Sequence, residues 1–231
     1  MKRFWKAAAA VREPDGWSIA LDERPVRTPG RAPLSVPSEA LAQAIVAEWD
    51  VQGDTLDPAR MPMTGIANAA IDLALPAPPA FAAPIAAYAE SDLFCYRDDR
   101  DAALQAEQAA SWNPLLAWAE SRYGVEFNLA QGVLPVDQPP ATLAGLRDAV
   151  LAQTPFRLAP LAPLVTIGGS LVAGLALIER AFDADILWSA VTLDELYQER
   201  RWGADSDAQK ARAAKQRDWN NAVRFLELLA V

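Results

Sequence analysis

The hydrophobic period changes once along this 231-residue chain, near residue 60, and that change divides what it can fold into. Upstream, Trp17-Ser18-Ile19-Ala20-Leu21 alternates large and small residues, Asp22-Glu23-Arg24-Pro25 supplies a turn, and Val26-Arg27-Thr28 resumes an extended pattern before Pro29-Gly30. With Asp15-Gly16 as a second turn, residues 4–36 read as three or four short antiparallel strands. Pro37-Ser38-Glu39 then opens a helix that Ser38 caps. Leu41, Ile45, Val46 and Trp49 share its face, and it ends near Gly53.

Beyond residue 60 the apolar residues recur at helical spacing almost throughout. Helices are expected from a cap at Thr64 to a stop at Pro76, from Phe81 to Asp92, and from Asp101 to Tyr123, with a junction or kink at Asn113-Pro114. Val125 to Leu129 reads as a short extended piece and Gly132 to Pro140 as a loop. Further helices are expected at 141–153, 158–179, 184–202 and 206–229. The expected class is α+β: a small antiparallel β-containing domain with one helix over residues 1–60, then a larger all-helical domain over 61–231.

Composition narrows the chemistry. The chain holds no histidine, which excludes a Ser-His-Asp triad, a Cys-His dyad, a zinc-protease His pair and a histidine-ligated haem. Cys95 is its only cysteine, so no intrachain disulfide and no Cys-rich zinc cluster forms, as suits a reducing compartment. The net charge is −9, and residues 32–203 hold nine basic against twenty-two acidic side chains, a balance that repels nucleic acid and anionic membrane. The start, Lys2-Arg3-Phe4-Trp5-Lys6, has no long apolar region after it, so neither a signal peptide nor a transit peptide is read there. Leu158 to Ile178 is uncharged but carries Pro160, Pro163 and Gly168-Gly169-Ser170, which fits a buried helix better than a membrane span.

Individual candidates each carry a plain structural alternative. Gly168-Gly169-Ser170 lacks the following lysine of a phosphate loop, and close helix packing is the better reading. Cys95 lies between Phe94 and Tyr96 and behaves as a small hydrophobe. Asp194-Glu195 with Gln198 and Glu199 places carboxylates on adjacent faces of one helix, for a metal or for acid-base work, or as a solvated face. Met61-Pro62-Met63-Thr64 presents either an adaptable partner surface or core filling at a hinge. Eight tryptophans are many for this length, and one or two are candidates to anchor a partner.

Taken together, several phrases resemble one family. They are Arg3-Phe4-Trp5-Lys6, Leu21-Asp22-Glu23-Arg24-Pro25-Val26-Arg27-Thr28-Pro29, Ala47-Glu48-Trp49 with Gln52, Met61-Pro62-Met63-Thr64, Asp92-Leu93 with Cys95-Tyr96-Arg97, Gln108 with Trp112-Asn113-Pro114-Leu115, and Leu193-Asp194-Glu195 with Gln198 and Trp202-Gly203. In this order they are similar to the ATP-twelve family, the ATP-synthase assembly chaperones that attend the α subunit of the catalytic head. Glu23 stands where a glycine is common in that family, and Asn113 where an aspartate is common.

The resemblance implies a non-enzymatic chaperone, without catalytic residues, metal or cofactor, that binds the free α subunit before it pairs with β. It implies Glu195 as the first client contact, with Asp194, Gln198, Met61, Met63 and Trp202 as the other partner-binding residues; Trp202 and Gly203 are also expected to end that helix and pack it, Gly203 as its cap. A monomer in the bacterial cytoplasm, without nucleic acid or membrane insertion, is the accompanying expectation. Two rivals remain: a permanent structural subunit anchored by Met61, Met63 and the tryptophans, and a metal-dependent hydrolase using Asp194, Glu195 and Glu199.

Overall fold

The computed structural model describes residues 2–132 and 134–229. Its contacts divide the chain into two compact units, Met1–Pro78 with Thr154–Pro160 and Asn220–Val231, and Pro79–Gln153 with Leu161–Trp219. The class is α+β as expected, a small antiparallel sheet followed by helices. The division differs from the expected boundary at residue 60. Helix 62–69 packs with the strand-bearing segment, and two later pieces join it, because burying one face of so small a sheet takes more apolar surface than sixty residues supply.

In the first unit, β1 (Ala8–Glu13) pairs with β2 (Gly16–Leu21), which also pairs with β3 (Arg24–Pro25) and β4 (Ser35–Val36), all antiparallel. Asp22 and Glu23 join β2 to β3 at φ 47° and 69°, the left-handed pair of a tight hairpin. Helix α1 (Glu39–Asp50) begins where expected, with the Ser38 hydroxyl accepting from Leu41 N. Its Leu41, Ile45 and Trp49 meet Ile19, Leu34 and Val36 of the sheet side in one core.

Helix α2 (Pro62–Ala69) continues into a π-helical turn, Ala70–Ala74. Thr64 is not its cap. The Glu48 carboxylate takes that place, accepting from Met63 N at 2.6 Å and Thr64 N at 2.8 Å. Phe225, from the last helix of the chain, is fully buried in the same core.

Among the described residues the second unit is helical apart from one two-residue parallel pair. It contains α3 (Pro78–Ala86), β5 (Tyr96–Arg97), α4 (Ala102–Tyr123), β6 (Ala130–Gln131), α5 (Pro140–Leu151) and most of α6 (Pro155–Gly168). Then come α7 (Leu171–Ile178), α8 (Ala184–Val191), α9 (Leu193–Trp202) and the larger part of α10 (Ser206–Leu229). Helix α4 runs unbroken through Pro114.

The expected helix 158–179 is two helices. Gly169 turns left-handed at φ 66°, Ser170 caps α7, and Asp92 accepts from Val172 N at 3.0 Å. The expected helix 184–202 also divides, at Thr192, whose hydroxyl donates back to the Trp188 carbonyl at 2.7 Å. Val125 to Leu129 forms no strand, and the extended residues are Ala130 and Gln131.

Candidate functional site

Helix α9 is polar on both sides, and its sequence sorts the two sides at helical spacing. Asp194, Tyr197 and Arg201 recur at i, i+3 and i+7 and reach α4 or the segment before it. Gln108 Nε2 donates to Asp194 Oδ1 at 2.9 Å, Tyr197 Oη donates to Asp101 Oδ2 at 2.8 Å, and Arg201 lies 3.5 Å from the same Asp101 oxygen. Asp194 is partly buried, and loss of water pushes its pKa upward, with the Gln108 hydrogen bond opposing. The Tyr197 hydrogen bond holds the Asp101 carboxyl below its usual range.

On the other side, Glu195, Gln198 and Trp202 repeat the i, i+3, i+7 spacing one residue on. They line an open cleft of about 350 Å³ whose opposite wall is Ala208, Ala211, Arg212 and Lys215 of α10. Lys215 Nζ donates to Glu195 Oε1 at 3.2 Å. Glu199 accepts from Gln209 Nε2 at 2.5 Å and is paired with Arg212; these hydrogen bonds, Gln209 first, hold its pKa low. Trp202 is 73% exposed, next to Gly203, which takes φ 94° and ends the helix.

The sequence-derived site residues therefore fall into three groups. Glu195, Gln198 and Trp202 come together at the cleft. Asp194 belongs to the same helix but faces α4. Met61 and Met63, expected at a partner surface, are 4% and 1% exposed in the core of the first unit, where flexible thioether side chains fill space between α1 and α2.

The carboxylates of the hydrolase rival diverge: Asp194 to Gln108, Glu195 to Lys215, Glu199 to Arg212. Among the described residues no three acidic or cysteine side chains are grouped to hold a metal ion. The α10 wall was not anticipated from sequence. Its signal is present, since Ala208, Ala211, Arg212 and Lys215 share one helix face, but nothing local says which helix that face meets.

Comparison with known proteins agrees with this architecture. The sequence profile of the ATP12 chaperone protein family matches residues 2–120. The mitochondrial protein atp12 of Schizosaccharomyces pombe is 23% identical over 219 residues, covering 90% of this chain and 75% of that protein. The crystal structure of Atp12 from Paracoccus denitrificans is 40% identical with a TM-score of 0.93, over 99% of this chain and 98% of that one. The Atu1473 protein of Agrobacterium tumefaciens is 36% identical with a TM-score of 0.92, over 99% of this chain and 86% of that one. With half of its length matched by the family profile and nearly all of it matched by solved relatives, this chain belongs to the ATP12 chaperone protein family.

Proposed function

We propose that this protein is a non-enzymatic assembly chaperone that binds the free α subunit of the F-type ATP synthase head and keeps it from aggregating until β arrives. Family membership supports the general reading. The observation that carries the choice of surface is Trp202, 73% exposed at the mouth of the α9–α10 cleft. A large aromatic held out of the core on a helix end is costly to leave in water and is the kind of side chain on which binding energy concentrates.

Around Trp202 the cleft offers matched charges of both signs, Glu195 with Lys215 and Glu199 with Arg212. A client cation that displaces Lys215 meets Glu195 without stranding a buried charge, because both members of the pair are about half exposed. Such a contact favours binding while remaining reversible, as a chaperone displaced by the client's permanent neighbour requires. Asp194 serves this surface as a positioning residue through Gln108, and Met61 and Met63 act through the first unit's core. The same reading takes the protein as a monomer of a bacterial cytoplasm, and its similarity to proteins of Paracoccus and Agrobacterium supports the bacterial part of it.

The test dilutes purified α subunit from denaturant with and without this protein, following light scattering and then complex formation on a sizing column. The expected result is suppressed scattering and a one-to-one complex that β dissolves. Trp202→Ala and Glu195→Lys should each fold and each lose protection. Full protection by both variants overturns the cleft assignment, and no protection by the unaltered protein overturns the client.

A further inference from the structure

Among the described residues no cation of the first unit lies within salt-bridge distance of a carboxylate, although Lys6 and Arg24 are near enough to Asp22 to help lower its pKa. All eight salt bridges among the described residues lie in the second unit, whereas Lys6, Arg24, Arg27 and Arg31 of the first form none. These four are exposed and lie on or beside one hairpin arm. Arg24 and Arg27 are three residues apart, roughly 10 Å along an extended chain. Arg27 Nη1 donates to the Arg31 carbonyl at 2.8 Å, which aims its guanidinium across the loop and leaves its other donors free.

The arm is also stiff. Pro25, Pro29 and Pro33 restrict its backbone. Asp72, from the π-helical turn, holds the loop by accepting from Thr28 Oγ1 at 2.6 Å and Gly30 N at 2.8 Å. A Cβ at Gly30 would stand 2.6 Å from that carboxylate, so the tether needs a glycine there. Three non-glycine residues, Asp22, Glu23 and Arg31, are kept left-handed, at φ 47°, 69° and 69°. Asp22 and Glu23 are the hairpin turn itself, and Arg31 is the arm's own left-handed residue.

We propose that this arm, Arg24 to Arg31, is a docking surface for an extended acidic segment of a partner protein, with Arg24, Arg27 and Arg31 pairing with its carboxylates. Guanidinium forks suit carboxylates, and a surface already fixed before binding loses little freedom on binding. Asp22 and Glu23, in the turn before the arm, and Asp72, at its tether, oppose a dense polyanion such as a polyphosphate or an anionic bilayer. An extended peptide with spaced carboxylates can avoid them. The surface belongs to the first unit and does not rest on the α9–α10 cleft.

The test uses the full chain and a fluorescein-labelled peptide with spaced carboxylates, four repeats of Ser-Ser-Glu, read by anisotropy at low salt. Binding should weaken at least fivefold in the triple variant Arg24→Gln, Arg27→Gln, Arg31→Gln with its circular dichroism unchanged. It should stay within twofold in the charge-matched control Arg100→Gln, Arg147→Gln, Lys210→Gln, and in Glu195→Lys. No binding by the unaltered protein, an equal loss in the control, or tighter binding of a 12-nucleotide DNA or of phosphatidylglycerol vesicles would each overturn the proposal.

Discussion

Gln108 donates to Asp194 at 2.9 Å across 86 residues of sequence, and the same glutamine accepts from Asp98 N at 2.9 Å. One buried side chain therefore ties the segment after β5 to α4 and α4 to α9, the helix whose opposite side lines the cleft. Arg97 completes the knot, donating to the Gln108 carbonyl and to Asn113 Oδ1, both at 2.8 Å, with its guanidinium 5.0 Å from the Trp112 ring centre. Asparagine at 113, on an exposed turn of α4, accepts from this buried cation through a neutral oxygen.

Gln108→Leu keeps the volume and removes both of its side-chain hydrogen bonds. The half-buried Asp194 carboxylate and the Asp98 amide lose their partners, at a cost of about 1–3 kcal/mol. Glu195→Gln, one residue along but on the exposed side, should change stability by no more than about 0.5 kcal/mol. Urea unfolding of the two variants checks the contrast. Equal effects would mean that Asp194 is not held by Gln108.

Asp92 is fully buried and accepts from Phe94 N and Val172 N, one on each oxygen, both at 3.0 Å. Burial dominates these hydrogen bonds and pushes its pKa up to about 6 from 3.8. A carboxyl raised on folding favours the fold while protonated, so its contribution is complete below 3.8 and is lost as pH rises through about 6. Other carboxylates, such as Asp101 and Glu199, shift oppositely, so the difference between the unaltered protein and Asp92→Asn is the quantity to follow. That difference should shrink by something on the order of 3 kcal/mol between pH 4 and pH 7 in urea titrations. A pH-independent difference would refute it.

The same Asp92 shows where sequence reading ends. Helix α1 is legible because its signals are local: Ser38 at the cap, then Leu41, Ile45 and Trp49 on one face. The break between α6 and α7 is not, because one of its stabilising acceptors comes from Asp92, 80 residues earlier. Helix α2 repeats the lesson, since Glu48 replaces the expected Thr64 cap from 15 residues away. At the cleft, helical spacing puts Glu195, Gln198 and Trp202 on one face, while the family resemblance is what singles them out. Lys215 is legible from neither, because its role depends on α10 lying beside α9.

Cys95 is completely buried, and burial with the nearby Asp92 charge pushes its thiol up to about 12. The reactive form is the thiolate, so the native protein should resist an aromatic disulfide reagent at pH 8 and react stoichiometrically once unfolded in urea. Complete labelling within seconds under native conditions would contradict the buried placement.

Two glycines in helices separate the cost of space from the cost of flexibility. Alanine is favoured over glycine within a helix by about 1 kcal/mol, so conformational freedom alone stabilises both Gly65→Ala and Gly174→Ala. At Gly65, in α2, a new Cβ meets nothing within 4 Å, and the gain should appear in full. At Gly174, in α7, the Cβ would stand 2.7 Å from Leu161 Cδ1 and 2.8 Å from Val165 Cγ2. Leu161 and Val165 are fully buried and have little room to withdraw, so overpacking of about 1–3 kcal/mol exceeds the helical gain. Thermal unfolding should rise for Gly65→Ala and fall for Gly174→Ala. A rise in both would mean that α6 yields to α7, and that Gly174 is not what sets how closely those helices approach.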